Sequence, residues 1–184
     1  METYISLLRG INVSGKHLIK MEDLRNLLTQ AGLQQIKTYI QSGNLVYQSS
    51  ERNIESLNGI IEKTIFNNYK FEVPVITLKL NDLEKARDEN PFLIDPLKTT
   101  SKMHISFLKQ LPETENQTKL LEIKSPPDEI IIKQKLIYLY CPEGYGNTKY
   151  SSNTLDKILK VVNTSRNWKT TNELIHIATE LKKK

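Results

Sequence analysis

The chain has 184 residues, 38% hydrophobic and 26% charged, a balance that excludes general disorder and allows one ordinary domain or two small ones. A single cysteine, Cys141, excludes an internal disulfide and a cysteine-built zinc site. The formal charge is +5, no run approaches the ~18–20 apolar residues of a membrane helix, and the chain opens on a strand-like run instead of a signal peptide, so a reduced, cytoplasmic setting is expected.

The first half alternates regularly. Thr3–Arg9 reads as a strand. Met21–Ala31 reads as a helix, with Met21, Leu24, Leu27, Leu28 and Ala31 at helical spacing and Gly32 as its stop. Gln35–Ile40 and Asn44–Gln48 read as strands joined by Gln41-Ser42-Gly43-Asn44. Arg52–Asn68 carries Ile54, Leu57, Ile60, Ile61 and Ile65 on one stripe and reads as a longer helix. Val73–Leu80 is a strand, with Pro74 at its start or on an edge. Asn81–Asn90 is a short helix with Asn81 as its cap. The order strand-helix-strand-strand-helix-strand is that of a ferredoxin-like, or split βαβ, unit with a mostly antiparallel sheet.

Residues 91–102 hold two prolines and no period, and are expected to link residues 1–90 to a second α+β subdomain at 103–184. That half resumes with strand Met103–Lys109, then a helix around Glu113–Ile123. Glu129–Lys133 and Leu136–Cys141 form a hairpin pattern. Asn153–Val162 reads as a helix, and Thr170–Leu181 as the last one, with Thr170 and Glu173 as a capping box. No short internal repeat or low-complexity tract is visible. The fold class is α+β.

Polar, unusual residues gather in three loops. The first is Arg9–Lys20, RGINVSGKHLIK. Its Gly10-x4-Gly15-Lys16 matches most of a phosphate-binding loop, but His17 stands where a Ser or Thr would hold magnesium, and the helix starts late, near Met21. A weaker anion-binding reading remains, with turned backbone N–H groups and the charges of Arg9 and Lys16. The alternative is a turn-rich connection with solvated basic residues. The second loop, Gln41–Asn44, offers Gln41, Ser42 and Asn44 as non-titrating hydrogen-bonding groups; its alternative is a plain hairpin turn. In a split βαβ unit these two loops can approach each other.

The third region has two parts. EGYGNTKY (143–150) carries Lys149 ahead of a helix. TSRNWKTT (164–171) reads as a loop and places Arg166, Asn167 and Trp168 before the last helix, whose N-terminus favours anions. Trp168 also suits a hydrophobic staple into the core. His17, His104 and His176 lack metal-ligand spacing, so no metal is expected. Cys141 packs at a strand end. No serine elbow and no carboxylate pair stands out, so catalytic residues and cofactor stay unassigned.

Nucleic acid is a separate test. Residues 1–90 are charge-balanced and the basic excess lies in residues 91–184, partly in Lys182, Lys183 and Lys184, which read as a solvated tail. Tyr4, Tyr39 and Tyr47 fall on predicted strands, where an open sheet face stacks bases in RNA-recognition modules. SGNLVYQS lacks the basic, doubly aromatic third strand of that module.

YISLLRGINVSGKHLIKMEDLRNLL followed by GLQQIKTYIQSGNLVYQS resembles the characteristic sequence of the domain of unknown function 1697 family of small bacterial proteins. YLYCPEGYGNTKYS and TSRNWKT resemble its later segments. Ser14 and Leu45 are minor departures. The resemblance implies two α+β subdomains, the first ferredoxin-like, and no established activity. Its motif positions here are Arg9, Gly10, Asn12, Gly15, Lys16, Gln41, Ser42, Gly43, Asn44, Gly144, Lys149, Arg166, Asn167 and Trp168; only the resemblance singles out Asn12.

The leading expectation is a protein that binds a phosphorylated or carboxylated ligand in a cleft between the two halves. Arg9, Lys16 and Arg166 would supply charge, Gln41, Ser42 and Asn44 orientation, and Trp168 a wall or a stacking ring, with Asn12, Lys149 and Asn167 as further ligand-binding positions. The alternatives are nucleic-acid binding through the basic second half, a transferase or hydrolase using His17, Ser42 or Lys16, and an interaction protein whose loops serve folding alone. No membrane partner is expected, and the oligomeric state is left open.

Overall fold

The computed structural model describes residues 1–13 and 15–183; Ser14 and Lys184 lie outside the described residues. Two compact units emerge, residues 1–84 with 172–184, and residues 85–171.

In the first unit, β1 (Glu2–Leu8) is followed by α1 (Met21–Gln30), β2 (Gln34–Thr38), β3 (Asn44–Ser49), α2 (Ile54–Tyr69) and β4 (Val75–Lys79). The strands lie in the order β2-β3-β1-β4, every neighbour antiparallel. This is the βαββαβ arrangement that the hydrophobic periods predict. Met21, Leu24 and Leu28 form the buried stripe of α1, and Leu57, Ile61 and Ile65 that of α2. Both stripes pack on Tyr4, Leu8, Leu45 and Tyr47 of the sheet. Asn53 caps α2 by accepting the Ser56 N–H at 3.0 Å, satisfying an otherwise orphaned donor. β4 runs directly into α3 (Leu80–Asp88). Asn81 is therefore inside that helix and not its cap.

The second unit repeats the topology. β5 (Met103–Leu108), α4 (Thr114–Glu122), β6 (Glu129–Lys133), β7 (Leu136–Tyr140), α5 (Ser152–Leu159) and β8 (Asn163–Asn167) form a sheet in the order β6-β7-β5-β8, again antiparallel throughout. Leu120, Leu155 and Leu159 cover Ile137 and Leu139. Residues 91–102 carry two short 3-10 turns, Pro91–Ile94 and Thr100–Lys102. The chain as a whole is α+β.

Two local corrections concern residues 163–171. The expected loop is strand β8, paired with β5 from His104↔Asn167 to Leu108↔Asn163. The last helix, α6 (Trp168–Lys182), begins earlier than its apolar stripe suggests. Its first turn is capped by Asn167, whose Oδ1 accepts the Thr170 N–H at 2.8 Å. Thr170 is thus a helical residue. The neighbouring Thr171 hydroxyl donates to the Asn167 carbonyl at 3.1 Å. Among the described residues, no helix is long and apolar enough to cross a membrane.

Each sheet buries its second face as well. Ile5, Leu7, Val46 and Ile76 are buried in the first, and Met103, Ile105, Phe107 and Tyr138 in the second. On the first sheet Gln48 donates to the Leu181 carbonyl of α6 at 3.1 Å.

Candidate functional site

The first loop folds back on itself. Val13 and Lys16 form an isolated antiparallel bridge, with the Lys16 N–H donating to Val13 O at 3.0 Å. The Asn12 N–H donates to His17 O at 3.1 Å. Gly10, Asn12, Gly15 and His17 all have positive φ. The result is a tight turn closed by Val13 and Lys16, with Lys16 exposed. The helix begins only at Met21 and the sheet is antiparallel, so this is not the strand-loop-helix of a nucleotide hydrolase.

Asn12 holds this loop to the second one. Its Nδ2 donates to Ile19 O at 3.0 Å and to Gln41 O at 2.8 Å, while its Oδ1 accepts the Ile19 N–H at 2.8 Å. Both amide protons are used, so Asn12 positions the backbone instead of presenting an amide to a ligand. The second loop is also tied to the end of β1, where the Leu8 N–H donates to Gly43 O at 2.8 Å. Gly43 has φ +79°, and a Cβ there would sit 2.7 Å from Leu8 Cβ and 3.0 Å from Ile11. Only glycine fits that combination.

Asn44 is fully buried. Its Nδ2 donates to Tyr39 O at 3.0 Å and Ser42 Oγ at 3.2 Å, and its carbonyl accepts the Tyr39 N–H at 3.1 Å. Ser42 is half-buried beside it. The Arg9 N–H donates to Pro74 O at 3.0 Å, fixing the exit of β1. The His17 ring stacks on Phe71 at 4.4 Å and its Nδ1 meets Gly10 O at 3.2 Å. Neither His17 nor Lys16 hydrogen-bonds Ser42, so the three candidate nucleophile and base groups do not form an activated pair.

These loops wall a groove of about 840 Å³ in the first unit. Asn12 and Gln41 line it, together with Lys20, Arg25, Thr38, Leu18, Ile40 and Tyr69. The Gln41 side chain is exposed. Arg25 is anchored by a 2.8 Å bond from its guanidinium to Thr38 Oγ1. Lys20 occupies the N-cap of α1, where no side chain caps the helix. Glu22 and Asp23 stand on the helix side of the groove, in the first turn, where acidic groups complement the helix dipole. Lys20, Arg25 and Thr38 are the groove residues that sequence reasoning missed. On a sequence they look like a solvated helix face and a strand end; the only hint is a lysine just ahead of the helix.

In the second unit Lys149 ties two segments, its N–H donating to Ser125 Oγ at 3.4 Å and its Nζ to Lys124 O at 3.3 Å. Asn167 is occupied as the cap of α6. Trp168 opens that helix and is half-buried. Arg166 lies on β8 with only 8% of its surface exposed. Its Nη1 donates to Thr164 Oγ1 at 2.7 Å and to Ser165 O at 2.8 Å. Burial pulls its pKa down to about 10, so it remains a cation at neutral pH. Burial raises the Cys141 thiol to about 11, helped by Asp128, which makes it a packing group and not a nucleophile. Among the described residues, no cluster of three His, Cys, Asp or Glu side chains is placed to hold a metal.

The three rings expected on an open sheet face do not form a stacking platform: Tyr39 lies beyond the end of β2. Tyr4 and Tyr47 have no exposed surface and belong to the core beneath the helices. Alternation along β1 and β3 locates these rings on one face but does not say which face the helices cover.

A chain of two βαββαβ units, with the first two of its polar motif loops meeting at the exit of β1, is a small α+β protein of defined class. Residues 1–138 match the family described as "Protein of unknown function (DUF1697)", and the chain belongs to that family. No curated protein matches it. Among solved structures it is similar to that of the conserved bacterial protein SP0830 from Streptococcus pneumoniae, with 24% identity over 96% of this chain and 98% of that one and a TM-score of 0.76. At that identity the likeness shows the fold alone.

Proposed function

We propose that the protein binds a small anionic ligand, a carboxylate or phosphate monoester, in the groove of the first unit. The observation that carries this reading is the meeting of a ligand-sized concavity with two cationic side chains and an amide. At about 840 Å³ the groove lies within the ~300–1,000 Å³ usual for small-molecule sites. Arg25 is held in place by Thr38 and presents a planar donor set suited to carboxylate or phosphate. Lys20 adds charge at the uncapped start of α1, where backbone N–H groups also favour anions. Leu18, Ile40 and Tyr69 supply apolar wall for the body of the ligand. Glu22 and Asp23 favour a ligand with a single anionic group and an amine or hydroxyl donor elsewhere. Lys16 and Arg9 act at longer range, by attracting anions toward this end of the unit.

Calorimetric titration of the full chain with mononucleotides, sugar phosphates and amino acids tests the reading. Saturable binding by at least one of them is expected. Arg25→Gln is expected to weaken it about tenfold, the loss of one charge-assisted bond. Absence of binding by every probe, or binding indifferent to both Arg25→Gln and Lys20→Gln, would overturn it.

A further inference from the structure

The strand β6 is a sheet edge of unusual composition. It reads Glu129-Ile130-Ile131-Ile132-Lys133 and has one strand neighbour, β7. Its register with β7 is regular from Glu129↔Tyr140 to Lys133↔Leu136. The corresponding edge of the first unit, β2, carries the devices that keep edges apart. Its register slips between Gln34 and Lys37, Gln35 has φ +50°, and its sequence is polar. β6 has no bulge and no proline, and three consecutive isoleucines favour strand pairing.

The charges at its ends specify the partner. Residues 129, 131 and 133 share one face of the strand. Antiparallel pairing of β6 with a second β6, centred on Ile131, sets Glu129 opposite Lys133 of the other copy and Lys133 opposite Glu129. Ile131 then meets its own image, and Ile130 meets Ile132. The two-residue turn at Gln134 and Lys135 makes Lys133 and Leu136 a hydrogen-bonded pair, so the N–H and C=O groups of Ile130 and Ile132 point away from β7. Those are the groups such a pairing joins. A groove of about 610 Å³ runs beside the strand, walled by Leu121, Ile123, Pro126 and Tyr150; Leu121 is nearly half exposed. It receives the apolar side of an added strand. Glu129 already meets Lys98, and the Lys133 Nζ donates to Glu89 O at 3.2 Å. Both charged side chains nevertheless reach solvent.

We infer that β6 is a homodimerisation edge, on which a second copy of this chain adds antiparallel through the self-complementary Glu129-Ile-Ile-Ile-Lys133 strand. Opposite charges directly across an antiparallel pair stabilise it and like charges destabilise it. A two-fold contact of this kind is isologous and closes at two copies. A pairing of two short strands is small, so the dimer is reversible and concentration-dependent.

Analytical ultracentrifugation of the full chain up to ~1 mM, a range that captures weak specific contacts, reads the equilibrium directly. The wild-type protein is expected to move from monomer to dimer with concentration. Glu129→Lys alone and Lys133→Glu alone each place like charges opposite one another, and each is expected to weaken the dimer at least ~10-fold. An equimolar mixture of the two variants restores both opposite-charge pairs and is expected to dimerise again. A purely structural effect of either substitution would not be rescued by mixing. Amide exchange on the wild-type chain supplies the check that needs no variant: Ile130 and Ile132 gain protection as concentration rises. A monomer throughout, a dimer indifferent to both reversals, failure of the mixture to recover, or exchange at Ile130 and Ile132 independent of concentration would each overturn the inference.

Discussion

The two units share a strand order and an Ile-Ser pair inside the equivalent strand: Ile5-Ser6 in β1 and Ile105-Ser106 in β5. In both, the serine lies buried in the middle of the central strand and must find hydroxyl partners. The solutions differ. Ser6 meets Tyr47 at 3.0 Å and Thr77 at 2.7 Å, both from neighbouring strands. Ser106 meets Ser165 of the neighbouring β8, and Ser165 is reached by Tyr145 at 2.9 Å. Tyr145 comes from a 3-10 turn in the 143–150 segment, and its ring stacks on His104 at 4.7 Å. The first unit completes its polar centre from within the sheet, and the second recruits a loop to do so. Part of the EGYGNTKY segment, chemically attractive as a ligand loop, is therefore committed to the core.

The largest expected effect breaks the first unit at the junction of its loops. Gly43→Ala forces a Cβ against Leu8 in a left-handed backbone and should lower stability by about 2–4 kcal/mol in chemical denaturation. Gly144→Ala in the second unit has the same sign of φ but open space around the new Cβ. It should cost only about 1 kcal/mol. Equal losses would show that crowding at Gly43 is relieved by movement of Leu8.

Asn12→Ala comes next. It removes the side-chain bond to Gln41 O that joins the first two loops and the two bonds with Ile19 that close the first, at about 1–3 kcal/mol. It should also speed amide exchange at Ile19, whose donor loses its acceptor. Smaller still are Tyr47→Phe and Tyr145→Phe, each about 1 kcal/mol for one hydroxyl. They sharpen the comparison by location. Tyr145→Phe should raise protease sensitivity across residues 143–150, whereas Tyr47→Phe should leave loop cleavage unchanged.

The smallest effect is a pH dependence confined to the second unit. Burial holds the His104 pKa below its ordinary value, against a weaker opposing hydrogen bond to the Lys102 carbonyl. The unfolded chain therefore binds a proton that the folded one refuses. Stability is complete above the unfolded pKa of about 6.5 and declines as pH falls below it, toward the depressed folded value. His104→Phe keeps the stack on Tyr145 and should flatten that part of the stability profile, measured as melting temperature against pH.

Much of the fold was legible because periodicity marks it. The stripe Met21-Leu24-Leu28 and the short apolar runs around Tyr4-Ile5 and Leu45-Val46-Tyr47 announce their elements. β8 was not legible. Its residues, Asn163-Thr164-Ser165-Arg166-Asn167, carry no apolar pattern, yet Asn163, Thr164 and Arg166 are buried. They are held by hydrogen bonds such as Asn163 N–H to Asp156 Oδ1 at 2.9 Å, which no hydrophobic period reports. The start of α6 was misplaced for a related reason: an exposed Asn167 caps it, and Thr170 mimics a cap in sequence. At the candidate site Gly43 and Asn44 were visible as turn and amide residues, and Asn12 only through the family resemblance. Their work in the backbone was not visible, because it depends on which two loops the strand order brings together. Arg25 and Lys20 were missed because charge on a helix face is ordinary until a groove is seen beside it.

The last helix has a consequence for how the protein is made. Residues 85–171 form one compact unit, while residues 172–184 return to the unit that began at residue 1. During synthesis the second unit has all of its residues once the ribosome passes Thr171. The first unit, although translated earlier, must wait for the segment containing Leu174, Ala178 and Leu181, all buried, before its packing is complete. Vectorial translation thus inverts the order of maturation: the unit that emerges second is the one free to finish first.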